Sequence, residues 1–333
     1  MLLSLFCGAG GLDCGFEDAG FQIGLALDKK ADSVASYNHN RPEKGVAQTF
    51  DLSRATCEDI DTLYGSVFHP TAVVGGPPCQ SFSQANVNQR SDDDRIKLPM
   101  AFANLVAALH SRSPLDFFVM ENVVGLVKQK HVSKLEAVEK VLTDAGFKHM
   151  RLLLNAVDYG VAQRRPRLFL IGIDGKRFSD LELSTLSLDR GATLTVKDAI
   201  GDLPEPSFFS RSAALNAHHP NHWCMTPRSP KFSRKGGVTP GVAGRSFKTL
   251  YWEKPSITVA YGHREVHVHP DGKRRLSVYE AMLLQGFPPE YELIGNLSSQ
   301  IDQVSEAVPP PLAKAVANGV KSLLYAEQLD RAA

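Results

Sequence analysis

Cysteine is scarce in this 333-residue chain: the five present, Cys7, Cys14, Cys57, Cys79 and Cys224, are odd in number and form no CxxC pair. That pattern argues against a disulfide scaffold and a zinc ribbon, and it fits a reduced, cytoplasmic setting. Long apolar runs are missing too. None approaches the roughly 20 residues that cross a bilayer, so no membrane partner is expected. The opening Met1-Leu2-Leu3-Ser4-Leu5-Phe6-Cys7 lacks the basic n-region of a secretory signal and runs straight into glycines, so it reads as a buried first strand. Net charge is nearly absent at +1, while 43% hydrophobic and 22% charged residues leave ample material for a packed core and exclude a disordered chain.

The near-zero net charge conceals an uneven distribution. Between Pro206 and Arg275 stand twelve basic residues, among them Arg228, Lys231, Arg234, Lys235, Arg245 and Arg274, against three acids, Glu253, Glu265 and Asp271. The segment is therefore +9 and the remainder −8, and six of the eleven histidines fall in the basic part. A neutral protein with one strongly basic segment suggests that a polyanion is met there; the plainer alternative is a solvated basic surface.

Short apolar runs at 2–6, 23–27, 72–74, 117–120 and 168–173 end near Gly, Asp or Glu and read as buried parallel strands. Between 132 and 145 apolar residues recur at helical spacing, with Gly146 where a C-cap belongs. Alternation of this kind implies an α/β, doubly wound sheet. After Asp174 the rhythm stops, and the stretch 204–240, rich in Pro, Ser, Asn and His, reads as a separate irregular lobe. Helical patterning returns at 277–284 and 312–329, the last helix entered through Pro309-Pro310-Pro311 and expected to fold back on the first domain. The expected division is 1–195, 196–303 and 304–333.

Four clusters carry chemistry. Phe6-Cys7-Gly8-Ala9-Gly10-Gly11 follows the first strand, where glycines let a ligand approach backbone at a helix N-terminus. Asp28 lies twenty residues past Gly8 at the end of the second strand, the place of an acid that holds ribose hydroxyls, and Asp51 could accept from an adenine amine. Gly75-Gly76-Pro77-Pro78-Cys79 makes a rigid exit from the third strand and presents Cys79 where open sheets place their sites. A thiol there could serve as a nucleophile or be a buried inert residue. Glu121-Asn122-Val123 ends the next strand in apolar company, which favours a carboxyl able to hold a proton. Gln163-Arg164-Arg165-Pro166-Arg167 leads into another strand and adds guanidinium groups.

Taken together, these motifs resemble those of the DNA (cytosine-5)-methyltransferases of bacterial restriction–modification systems. Residues 4–11 are similar to the family's cofactor motif, Gly76-Pro77-Pro78-Cys79-Gln80 to its catalytic motif and Glu121-Asn122-Val123 to its acid motif. The stretch 163–167 resembles its basic motif, 275–288 its late structural motif and 308–313 the start of its closing helix. The resemblance implies a Rossmann-like S-adenosylmethionine-dependent domain with a smaller target-recognition domain, acting on double-stranded DNA as a monomer, in the cytoplasm with the nucleoid. A cognate restriction endonuclease acting on the same sequence is a possible partner. Cys79 would attack C6 of a flipped cytosine, Glu121 would hold N3, and Arg167 with Arg165 would bind the O2 edge. Phe6, Gly8, Ala9, Gly10, Gly11, Asp28, Asp51, Leu52, Pro78, Glu306 and Ala307 would hold the cofactor. Gln80, Ser83, Arg95, Thr258, Arg228, Lys231, Arg234, Lys235 and Arg245 would meet DNA. One departure stands out: Glu306 occupies the place of the family's cofactor-contacting Asn.

Other candidates are weaker. His218, His219, His222 and Cys224 could bind zinc but are irregularly spaced, so no metal is expected. Trp223 and Trp252 read as packing residues, and Asp92-Asp93-Asp94 as a solvated loop rather than a Mg²⁺ site. Two competing functions remain: an RNA-methylating member of the same family, and a non-catalytic DNA-binding relative. The basic lobe speaks against the first, and the presence of Cys79 and Glu121 against the second.

Overall fold

Leu-Leu-Ser-Leu at Leu2–Leu5 is buried at every position and forms the first strand, β1, of a seven-stranded sheet in the computed structural model. The model describes residues 1–43, 45–78, 97–208, 218–233, 237–239, 247–258 and 267–330, with side chains of 326–330 excepted. The other strands of the sheet are β2 (Ile23–Asp28), β3 (Ala47–Thr49), β4 (Ala72–Gly75), β5 (Phe117–Val123), β6 (Phe147–Asn155) and β8 (Pro166–Asp174). Their order is β3-β2-β1-β4-β5-β8-β6. β1 to β5 pair in parallel, and the order reverses at β1, giving the doubly wound layout.

One expectation needs correction: β8, the run at 168–173, is antiparallel to β5. A parallel return demands a crossover of a dozen or more residues. The chain between β6 and β8 spans only 156–165 and holds a 3-10 turn, Ala156–Tyr159, and the two-residue strand β7 (Gln163–Arg164). An apolar run buried on both faces carries no mark of its direction, so orientation was invisible in the pattern.

The core beneath the sheet is built from Leu3, Leu5, Leu25 and Leu27 together with Phe102, Val106 and Leu109 of α4 (Leu98–Arg112) and Leu135, Val138 and Leu142 of α5 (Val132–Asp144). Gly146 follows α5 at φ +103°, as a C′ glycine should. The chain's first three helices are α1 (Gly11–Asp18), α2 (Ala31–His39) and α3 (Cys57–Tyr64).

By internal contacts the chain divides into two units. The first comprises Met1–Leu154, Pro166–Asp189 and Ala313–Ala333; the second comprises Asn155–Arg165 and Arg190–Leu312. Among its described residues the second unit holds α6 (Val196–Ile200), α7 (Val278–Leu284) and α8 (Leu297–Glu306), with the two-residue strands β7, β9 (Ser207–Phe208), β10 (Trp223–Cys224), β11 (Lys248–Thr249) and β12 (Ser256–Ile257). β13 (His267–Val268) completes it, pairing with β11. One small core joins Ala162, Val196, Ile200, Leu250, Leu276 and Leu284. The long last helix, α9 (Pro310–Asp330), starts on two prolines, whose missing N–H groups cost nothing at the first helical positions. From Ala313 it belongs to the first unit, where Lys321 donates to Ala19 O at the end of α1 (2.8 Å). Among the described residues no helix is long and apolar enough to cross a membrane.

Candidate active site

The turn after β1 is shaped by backbone that ordinary residues avoid. Phe6 takes φ 56°, Gly8 φ 53° and Gly10 φ 84°, the last serving as N-cap of α1. Positive φ at a phenylalanine costs of order 1–3 kcal/mol and persists only where the surroundings fix it. They do: the Cys7 N–H donates to Leu27 O (3.0 Å), and Gly10 N–H to Cys7 O (2.9 Å). Gly8 N–H donates to Asp28 Oδ2 (2.9 Å), while Asp28 Oδ1 accepts from Lys30 N–H (2.8 Å). The acid spaced twenty residues from Gly8 is thus the group that pins the turn. Each of its oxygens keeps a second lone pair for a ligand. A Cβ built on Gly8 would meet nothing within 4 Å, so the turn has open space in front of it, as a backbone-cradled ligand requires.

Asp51 lies at the end of β3 beside this turn, exposed, accepting from Lys29 Nζ (2.6 Å) and Ser53 N–H (3.0 Å). The Lys29 hydrogen bond and then the Ser53 amide hold its carboxyl down at about 2. Leu52 is buried in the core that Phe6 packs against. Beneath the turn sits a group that sequence reasoning missed. Asp13, fully buried in α1, accepts from Ser4 Oγ (2.7 Å) and Tyr37 Oη (2.8 Å). Burial pushes it up to about 6, against the pull of Arg41 and the two hydroxyl donors. The signal available was an acid between Leu12 and Cys14, in the first turn after Gly11.

The end of β4 runs through Gly76, Pro77 and Pro78 beside the end of β5. Asn122 Nδ2 donates to Pro77 O (3.1 Å) and Asn122 Oδ1 accepts from Val123 N–H (2.9 Å), so the residue after Glu121 clamps the proline turn. A Cβ on Gly76 would stand 3.2 Å from Glu121 Oε2, tighter than ordinary contact, so the glycine backbone lies close against the acid. Glu121 is 7% exposed and pairs with Arg167 of β8, Nε to Oε1 at 2.7 Å. The register places Val123 opposite Arg167, which lets the guanidinium reach diagonally to Glu121. Full burial pulls Arg167 below its ordinary value, and Glu121 opposes that shift. The acid read from its apolar strand context therefore has a cation directly against it. Cys79, Gln80, Ser83 and Arg95 lie outside the described residues, as do Asp92-Asp93-Asp94.

In the second unit β7 pairs in parallel with β12, and Thr258 Oγ1 donates to Arg164 O. Arg165, with no exposed surface, gives Nη2 to Ser305 O and Ala307 O (2.9 Å), and Gln285 Nε2 donates to Val304 O and Ala307 O, both at 2.7 Å. Arg165 thus holds the C-terminal end of α8, where Glu306 is the last residue and exposed, rather than presenting a free edge to a base.

Within the basic segment, Arg228 and Lys231 are exposed, while Arg234, Lys235 and Arg245 lie outside the described residues. Arg274 does not face solvent: it forks onto Glu280 (both contacts 2.9 Å) and gives Nε to Glu205 (3.0 Å). The residues of the zinc alternative have other partners. Both ring nitrogens of His222 are engaged, with Ser277 Oγ and Pro204 O, and His219 stacks on Tyr279 at 4.0 Å. Burial pushes the Cys224 thiol up to about 12, and among the described residues no three ligands gather for a metal. Trp223 donates to Gln300 Oε1 and Trp252 packs on the small core, both as structural residues.

An open α/β sheet with a glycine turn pinned by an acid after its first strand, and an acid–guanidinium pair beside a Gly-Pro-Pro exit, defines a Rossmann-like methyltransferase. The chain belongs to the C-5 cytosine-specific DNA methylase family, whose model matches residues 1–322, and it is accordingly a DNA cytosine-5 methyltransferase. It is 34% identical over 333 residues to the type II methyltransferase M1.HphI of Haemophilus parahaemolyticus, covering 96% of this chain and 86% of the relative. It is 32% identical to the type II methyltransferase M.MthTI of Methanothermobacter thermautotrophicus, covering 96% of each. The fold matches that of a prophage-encoded E. coli protein named as a DNA modification methyltransferase, with TM-score 0.80, 23% identity and coverage of 97% and 99%.

Proposed function

We propose that this protein methylates carbon 5 of a flipped cytosine within a specific duplex sequence through a covalent bond from Cys79, as the modification enzyme of a type II restriction–modification pair. The observation that carries the reading is the buried Glu121–Arg167 pair beside Gly76-Pro77, two residues before Cys79. The base must leave the duplex because C6 is shielded in the stack. The Cys79 thiolate adds to C6. The electron pair moves through the ring, and Glu121 holds the proton at N3 while Arg167 binds the O2 edge. S-adenosylmethionine, when bound, supplies an electrophilic methyl to the nucleophilic C5. A base then removes the C5 proton, the C5–C6 double bond re-forms, and Cys79 leaves as thiolate. Phe6, Gly8–Gly11, Asp28, Asp51, Leu52 and Pro78 would hold the cofactor; the open face of the Gly8 turn and the remaining lone pairs of Asp28 fit a ribose and an amino-acid tail. Glu306 and Ala307 would complete its site. Target choice is assigned to 196–303.

The experiment is methyl transfer from labelled S-adenosylmethionine to unmethylated genomic DNA and, in parallel, to transfer RNA. Cys79→Ala should lose more than ~10⁴-fold in turnover, as loss of a nucleophile does, and should bind duplex as before. Turnover by the Ala variant refutes the covalent step, and methylation of RNA alone refutes the DNA reading.

A further inference from the structure

Three segments of the first unit carry the residues expected at the cofactor. β1 leads into Phe6, α1 opens on Gly10 and Gly11, and β2 ends on Asp28, three residues before α2 begins. One carboxylate joins all three segments. Asp13 lies in the first turn of α1; Ser4 of β1 donates Oγ–H to its Oδ1 (2.7 Å), and Tyr37 of α2 donates Oη–H to its Oδ2 (2.8 Å). All three residues are fully buried. Burial, and then the carboxylates of Asp13 and Asp28, push the Cys7 thiol well above its ordinary value, so both acids lie close enough to act on the residue between Phe6 and Gly8. The α2 end of the bridge is braced as well. The Arg41 guanidinium carbon lies 4.0 Å from the centroid of the Tyr37 ring, and Nη1 donates to Tyr37 O (3.3 Å). The same guanidinium gives Nε to Glu17 Oε2 of α1 (2.7 Å), tying the two helices a second time.

Taking a carboxylate out of water is costly, and two hydroxyl donors offset that only in part, so Asp13 is a poor way to fill space. A satisfied buried polar network instead fixes one arrangement of the elements it joins. The elements joined here lead into and out of a turn whose Phe6 stands at φ 56°, two residues after Ser4. Resting on the S-adenosylmethionine reading of the preceding subsection, we infer that Asp13 is a positioning residue for the cofactor: by holding Ser4 and Tyr37 at once, it fixes the turn 6–11 against Asp28 and so sets cofactor affinity without touching the cofactor. Binding groups must be held to within about 0.5 Å by the shell behind them, and Asp13 is that shell for the turn. A bridge opened at either end is open, so Ser4 and Tyr37 do not contribute independently.

Calorimetry of S-adenosylmethionine binding to the full chain tests it. Tyr37→Phe and Ser4→Ala should each weaken binding by about tenfold, the scale of one hydrogen bond, and the double variant by no more than the larger single. Asp13→Asn, whose amide accepts from one hydroxyl and donates to the other, should keep most of the affinity, while Asp13→Leu should lose as much as the double variant. In turnover on unmethylated duplex DNA the KM for S-adenosylmethionine should rise while kcat and the KM for DNA hold. Leu142→Ala opens a cavity in the core at α5 and lowers stability by another route, so it should leave cofactor affinity unchanged. Urea unfolding checks that each variant is folded under assay conditions. If Asp13→Leu does not fold, Tyr37→Phe, which keeps the ring against Arg41, decides alone. Unchanged affinity in folded Tyr37→Phe overturns the positioning role, as do an equal loss in Leu142→Ala, losses that multiply in the double variant, or a fall in kcat at unchanged KM. Wild-type protein that binds no S-adenosylmethionine would instead overturn the cofactor reading.

Discussion

Among the described residues, each unit has one arginine–glutamate pair with both partners buried, and the two pairs behave differently. Arg167 and Glu121 in the first unit are 9% and 7% exposed; Arg274 and Glu280 in the second are 3% and 1% exposed. Burial lowers the pKa of both arginines. For Arg167 burial wins over the attraction of Glu121. For Arg274 the bidentate Glu280 and then Glu205 outweigh it, and the guanidinium ends above its ordinary value. Glu280 is further committed as the capping-box acid of α7, accepting from Ser277 N–H (2.7 Å). The second pair has its geometry satisfied by the fold itself and acts as a staple joining 205, 274 and the start of α7. The first is held at a net cost to its cation, beside the strand ends where a substrate is expected. That difference fits the role proposed for the first pair in holding the substrate base.

Replacing each glutamate by glutamine breaks or sharpens that contrast, and it carries the largest expected effect. Glu121→Gln should lower single-turnover methyl transfer, per folded molecule, by ~10²–10⁴-fold, the usual contribution of a positioned acid, with little change in cofactor affinity. Glu280→Gln should leave that rate intact and remove about 3 kcal/mol of stability, because it strips a buried guanidinium of its main partner. Urea unfolding and rapid-quench kinetics on both variants decide. Equal rate loss in the two would mean that Glu280 is no mere staple.

A third buried acid, Asp13, lies in α1 of the first unit and has neither pair's cation as its hydrogen-bond partner. Asp13 has hydroxyl donors on both oxygens, and burial still raises it to about 6. A carboxyl with a folded-state pKa above its unfolded value binds its proton more tightly when folded. Its contribution is fully present below about pH 4 and is lost as pH climbs through about 6. Asp13→Asn mimics the protonated form at every pH. The stability of the variant relative to wild type should therefore grow between pH 4 and pH 7, to about 3 kcal/mol at most, and stay level above. A difference that is flat with pH would show that Asp13 does not titrate in this range.

These residues also mark what could be read from the chain. The glycine turn, the twenty-residue spacing to Asp28, the Gly-Pro-Pro exit and the placing of Glu121 and Arg167 on neighbouring strand ends were all visible, because each depends on strand ends that local pattern locates; the ion pair between the last two was not. Three further things were not. The direction of β8 escaped because a doubly buried strand has no polar face to orient it. Arg274 entered the count of cations for a polyanion, since a linear tally cannot see Glu280 six residues on folding against it. Arg165, grouped with Arg167 by nearness in sequence, spends its guanidinium on the carbonyls of 305 and 307, a contact 140 residues away that no local pattern shows.

Glu306 offers the smallest effect and the most open sign. It ends α8, and the backbone around it is fixed: Arg165 holds the carbonyls of 305 and 307, and Gln285 those of 304 and 307. The position is therefore rigid while the exposed side chain is the variable. Asparagine there offers both a donor and acceptors, whereas an ionised glutamate offers acceptors only. The glutamate also sets a negative charge where carbonyl oxygens of the helix end already concentrate negative potential. Toward a ligand carrying a sulfonium cation and an amino-acid carboxylate, the charge attracts one end and repels the other. Lys314, the cation best placed in sequence to compensate, is engaged with Asp18 at 3.4 Å. Loss of the donor and repulsion of the carboxylate then act in the same direction. Glu306→Asn should tighten S-adenosylmethionine binding by less than about tenfold, or 1.4 kcal/mol, and leave the methylated sequence unchanged. Calorimetry on the two proteins measures it. Equal affinities would show that Glu306 points away from the cofactor, and weaker binding by the asparagine variant would make the glutamate an adapted ligand for the sulfonium end.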